Sequence, residues 1–99
     1  MKQAANRFVL TASIAEVDSL RYTPSGLPAL DLRLQHESEI VEAGQTRQVK
    51  ALVKALAFGA VAERIARQDL GSNWSFTGFL ATPRNGKQLV LHIQEFQQD

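Results

Sequence analysis

The sequence contains no cysteine. That excludes disulfides, thiolate metal ligands and a cysteine nucleophile. It has two histidines, His36 and His92, which lie far apart and form no metal-binding spacing. No metal or cofactor is expected. No apolar run approaches the ~18 residues of a membrane helix, so no membrane association is expected. The segment Met1 to Arg7 lacks the apolar core of a signal peptide, and a cytoplasmic protein is the expectation. Aromatic residues are few: one Trp, one Tyr and five Phe. Excess charge is scarce too. The net charge is +1, and the pI of about 8.2 lies below the ~9 that flags a nucleic-acid-binding domain. There is no Ser-His-Asp order, phosphate loop or paired-carboxylate pattern, so the chain is not expected to be an enzyme.

What is present is strand chemistry. A chain of 99 residues has room for one domain and one core. Residues 7–17 alternate Phe8, Leu10, Ala12 and Ile14 with Val9, Thr11, Ser13 and Ala15. Both faces are small or apolar. Such a strand either passes between two halves of a barrel or pairs with a second subunit. Asp18 to Gly26 reads as a loop. Ala29 to Glu37 alternates cleanly, with Leu30, Leu32 and Leu34 inward and Asp31, Arg33 and Gln35 outward. Ser38 to Gln45 reads as a polar, acidic loop carrying Glu39 and Glu42. Thr46 to Leu56 is a third strand, with Val49, Ala51, Val53 and Ala55 inward and Gln48, Lys50, Leu52 and Lys54 outward.

The period then changes. Phe58, Val61, Ala62, Ile65 and Ala66 fall at helical spacing, which predicts a helix over 58–70 stopped by Gly71. Trp74 to Ile93 reads as a closing hairpin. Trp74, Phe76, Gly78 and Leu80 share one face, and Leu89, Leu91 and Ile93 share another. Asn85-Gly86 predicts a type I′ turn between them. The fold class is therefore mainly β: a five-stranded OB-fold barrel with one short helix between strands 3 and 4. It occupies 1–99 as a single domain, with residues 1–5 and 97–99 expected to fray.

At this point the residues resemble a known family. Asn6-Arg7-Phe8-Val9-Leu10 is similar to the opening of bacterial single-stranded DNA-binding proteins. Thr23-Pro24-Ser25-Gly26-Leu27-Pro28 resembles the first loop of the PriB family, primosomal replication protein N. So do Leu34-Gln35-His36 followed by Glu42-Ala43-Gly44. Gly78-Phe79-Leu80, Asn85-Gly86 and Leu89-Val90-Leu91-His92 resemble its closing hairpin. The order and spacing of these segments carry the resemblance over nearly the whole chain. It implies a homodimer that binds single-stranded DNA in replication restart, with the restart helicase and other primosome proteins as partners. The family's basic hairpin loop falls on Arg84 and Lys87, and its basic first loop on Arg21.

Sequence-tolerant single-strand binding needs cations for phosphates and aromatic faces for bases. The candidate cations are Arg21, Arg33, Lys50, Lys54, Arg84 and Lys87. The candidate stackers are Phe79, on the opposite face from Phe76, and Tyr22 in the first loop. Trp74, Phe76, Phe8 and Phe58 fit core rows. His36 and His92 are expected to be structural. A second reading is a protein-interaction module on an OB scaffold with weak or no DNA affinity. The modest net charge favours it, as does Lys50 standing where the family often has an aromatic.

Overall fold

The computed structural model describes residues 3–98. Six strands and one helix follow in order: β1 Phe8–Val17, β2 Arg21–Tyr22, β3 Pro28–Glu42, β4 Gln45–Phe58, α1 Ala60–Ala66, β5 Asn73–Ala81 and β6 Val90–Gln97. The expectation of five strands with the helix between the third and fourth is corrected in one respect. The two-residue β2, paired with Ala29 and Pro28 of β3, adds a strand, so α1 lies between β4 and β5.

The pairings run β1–β5–β6–β4–β3 and return to β1. β1 makes both ends of this circuit. Phe8 to Ser13 pair with β5, and Ser13 to Val17 pair with β3, with a bulge between Ile14 and Glu16. The two edges of β1 are thus used in turn within one chain, while of its two faces only the row with Ala12 and Ile14 is buried and Val9 on the other stays exposed. Ile14, Leu30, Leu34, Ile65, Phe76 and Leu91 are fully buried inside the circuit. Burying each such side chain contributes ~1.5–3 kcal/mol before the entropy of ordering is charged against it. Ala62 and Ile65 of α1 complete this core. Among the described residues no helix is long and apolar enough to cross a membrane.

Four local expectations change. First, the acidic segment 38–45 is not a loop. β3 and β4 stay paired out to Glu42 and Gln45, and only Ala43 (φ 53) and Gly44 (φ 77) form the turn. Two positive φ values are what a two-residue type I′ hairpin needs. Second, Asn85-Gly86 does not make such a turn, since neither residue has positive φ. Residues 82–89 form a longer loop in which the Gly86 N–H donates to the Pro83 carbonyl at 3.1 Å. Leu89 consequently lies outside β6 and is exposed, and Val90 takes a buried place instead.

Third, the helix is shorter than 58–70. β4 pairs through Phe58, opposite Ala29, so Phe58 belongs to a strand and not to the helical stripe. At its other end, Arg67 and Gln68 donate to the carbonyls of Arg64 and Ile65, a tightening i→i−3 pattern that closes α1. Gly71 has the expected positive φ of 85, but its N–H donates to the Ile14 carbonyl at 2.7 Å. It docks the chain on β1 after the helix has ended. Fourth, Gln97 lies within a strand. It ends β6 opposite Ser75. Of the ends expected to fray, residues 1, 2 and 99 lie outside the described residues.

Candidate nucleic-acid interface

Strand alternation places one side of β3 and β4 outside the circuit. Cross-strand partners on that face are Asp31 with Leu56, Arg33 with Lys54, Gln35 with Leu52, and Glu37 with Lys50. The sequence therefore sets four of the candidate residues, Arg21 included through Asp31, on a single outer face. Three of those four cations already face a carboxylate. Arg21 donates through Nε to Asp31 Oδ2 at 2.9 Å. That hydrogen bond and the carboxylate charge push the guanidinium pKa further up, so it stays cationic. Arg33 Nε lies 3.6 Å from Glu16 Oε2, and Lys50 Nζ lies 3.6 Å from Glu37 Oε1. These pairs are solvent-exposed, and such pairs contribute ~0–1 kcal/mol. A phosphate can compete for them. Among the described residues Lys54, Arg84 and Lys87 make no ion pair.

A groove of about 440 Å³ opens beside Lys54. It exists because β4 and β6 pair only over Ala55–Ala57 and Leu91–Ile93, so the wall parts just before that seam. Phe8, Val53 and Leu80, from the inner rows, show at its floor. Arg33, Leu52 and Lys54 line one side and Gln88 and Leu89 the other. Leu52 and Leu89 are 56% and 60% exposed. Arg84 and Lys87 sit on the same loop as Gln88 and Leu89. The groove thus combines cations with apolar surface, the two components that a single strand's phosphates and bases require.

Phe79 does point outward, as alternation demands, and it is half-buried. Its partner across the ladder is His92, and the rings stack with centroids 4.7 Å apart and planes 14° apart. Tyr22 is exposed on β2, at the edge of the same sheet. Trp74 and Phe76 face inward. Trp74 packs edge-on against Phe96 at 5.0 Å and donates through Nε1 to Ser72 Oγ at 2.9 Å, while Phe76 is fully buried. His36 holds structure together. Its Nδ1–H donates to the Thr11 carbonyl at 2.7 Å, just where the β1–β3 ladder stops, and Nε2 lies 2.8 Å from Ser38 Oγ. Neither His36 nor Ser38 lines the groove. Among the described residues no cluster of three or more His, Cys, Asp or Glu is placed to hold a metal ion.

Residues 6–95 match the model of a single-strand binding protein family. The replication restart protein PriB of Bordetella pertussis is 44% identical over 91 residues, covering 91% of this chain and 85% of that protein. The PriB of Nitrosomonas europaea is 38% identical over 91 residues, covering 91% and 84%. The chain belongs to the PriB family.

Among solved structures, PriB of Ralstonia solanacearum superposes with a TM-score of 0.87 at 36% identity, covering 96% of this chain and 98% of that one. The single-strand binding domain of a Synechococcus protein gives 0.76 at 22% identity, covering 99% and 100%, which shows a shared fold. In this member of the PriB family the structure brings Arg33 and Lys54 together, with Lys50 next along β4 and Arg21 by Asp31. Phe79 lies further round the wall on β5. Sequence reasoning missed three outward residues: Leu52 as a groove wall, Phe58, and His92 under Phe79. Strict alternation around the buried Leu91 and Ile93 was the available signal for His92.

Proposed function

We propose that this PriB-family protein is a non-catalytic single-stranded DNA-binding adaptor in replication restart. Its scaffold is an OB-fold barrel, and its cytoplasmic partners are the restart helicase and other primosome proteins. The observation that carries the reading is the groove beside Lys54. Cations line it, its floor is apolar, and the basic loop 82–89 walls it. Arg21, Arg33, Lys50, Lys54, Arg84 and Lys87 neutralise phosphates, while Tyr22 and Phe79 offer ring faces to bases. The resemblance of the whole chain to PriB proteins supports the same conclusion.

The working unit in this reading is a homodimer. Phe8 to Ala12 of β1 pair with β5 along one edge only, and Val9 beside that edge is exposed. An unpaired edge of this kind is a hazard that pairing with a second copy removes. A second reading is supported by the carboxylates. Asp31, Glu16 and Glu37 already occupy three of the cations, and Leu52 and Leu89 leave apolar surface open, which suits a protein partner. Fluorescence anisotropy with labelled oligo-dT at low and moderate salt separates the two. Saturable binding that weakens with salt is expected. No binding at low salt would leave the protein-interaction module as the better reading.

A further inference from the structure

The face that carries Phe79 continues across three strands. Phe79 on β5 stacks on His92 on β6, and His92 lies 6.2 Å from the Phe58 ring at the end of β4, with planes 34° apart. Phe58 is 39% exposed, and Phe79 and His92 are half-buried, so part of each ring reaches solvent. The two histidines contrast. Both ring nitrogens of His36 have partners, whereas those of His92 make no hydrogen bond among the described residues. An imidazole sandwiched by ring packing, with its polar edge left open, can meet a base edge.

The band is continuous with the groove. His92 is the register partner of Leu56, which lies two residues from Lys54 on the same face of β4. At ~3.3 Å per residue, Lys54 and Phe58 are about 13 Å apart along the strand. Beyond Phe79 the sheet runs on to β1. Arg7, which precedes the Phe8–Gly78 pair, lines a hollow of about 410 Å³ with Thr77, Gln94 and the acidic Glu95. The band therefore has Lys54 at one end, and at the other a polar hollow in which Arg7 stands with Glu95 and with amide and hydroxyl groups. Cations at the groove end followed by exposed rings fit a nucleic acid strand, whose phosphates alternate with π faces. An apolar peptide would leave Arg7 and the open edge of His92 unmatched.

We propose that the Phe58–His92–Phe79 band is a base-stacking surface that carries a bound single strand from the groove on β4 round to β5. This rests on the groove reading and extends it, because it assigns Phe58 and His92 as base contacts and requires a longer site. Each stacked base is worth ~1–3 kcal/mol, or about 5- to 150-fold in affinity.

The test measures affinity against oligo-dT length, from about 4 to about 16 nucleotides, the range of site sizes for one such fold. Affinity of the parent is expected to climb with length. Phe58→Leu and Phe79→Leu keep apolar packing but remove the π face, and each should shrink the gain from short to long oligomers by about fivefold or more. Long oligomers with abasic sites should show no such difference between parent and variants. Lys54→Ala should instead weaken short and long oligomers alike. A full length gain in both leucine variants would overturn the band and leave the groove standing. Failure of the parent to bind any length would overturn both readings together.

Discussion

Gly78 on β5 meets the backbone carbonyl of His92 on β6 so closely that a Cβ at position 78 would collide with it. The contact sits at the register shift between Thr77 and Gly78, where β5 and β6 re-align. It also sets the neighbouring Phe79 against the His92 ring. Backbone atoms cannot swing aside as a flexible side chain can. Gly78→Ala is therefore expected to destabilise the protein by several kcal/mol, in the range of severe single substitutions. Urea unfolding with an unchanged midpoint would show that β5 and β6 do not approach in this way.

Ala43 is the one non-glycine described residue with positive φ. For an L residue with a Cβ this conformation costs roughly 1–2 kcal/mol, and Asn tolerates it far better. Asn followed by Gly is also the preferred pair for a type I′ hairpin, and Gly44 already supplies the second member. Ala43→Asn is expected to stabilise by about 1 kcal/mol, which raises Tm by roughly 4–8 °C in a domain of this size. Calorimetry that finds a lower Tm would mean that the turn does not hold this geometry.

The carboxylates Glu16 and Glu37 compete with phosphates for Arg33 and Lys50. Both are exposed, so their removal should not disturb the core. Glu16→Gln and Glu37→Gln are each expected to tighten oligo-dT binding by about two- to fivefold at low salt, the scale of a surface ion pair. Weaker binding in either variant would assign these acids a direct role that the ion pairs do not suggest.

Among the described residues Arg84 and Lys87, on the loop that walls the groove, have no ion-pair partner. If each neutralises a phosphate, the double change to Ala should weaken binding to every oligonucleotide sequence alike. It should also flatten the slope of log K against log salt by about 1.4, at about 0.7 per contact. An unaltered slope would place the DNA path away from loop 82–89.

Much of the wall was legible because alternation is a local property. Leu30, Leu32 and Leu34 turned inward and Arg33 outward as their spacing required. Lys50 and Lys54 share a face for the same reason. The turns were read in the wrong place. Asn85-Gly86 has the better local chemistry, yet β5 and β6 are held in register by Phe76, Leu91 and Phe96 and meet without a tight turn between them. Ala43-Gly44 has the poorer chemistry, but the long β3–β4 ladder on either side imposes the turn on it. The aromatic band needed three strands brought side by side. Phe58, Phe79 and His92 come from β4, β5 and β6, and the β4–β6 pairing is parallel across a crossover that no local pattern announces. The groove needed a gap in that same pairing.

The ring of strands is unevenly fastened. β3 and β4 pair at fourteen positions from Ala29 to Glu42, while β4 and β6 share three. Native proteins open in pieces, and the pieces with fewest pairings open at the lowest free energy. The seam at Leu56 and His92 is therefore where the wall separates first, and amide hydrogens there exchange ahead of those in the hairpin. The groove opens at one end of that seam, and the band of Phe58, His92 and Phe79 crosses it. A strand held across it would act as a stitch, so binding should slow amide exchange on β6 while leaving the already secure β3–β4 hairpin almost untouched.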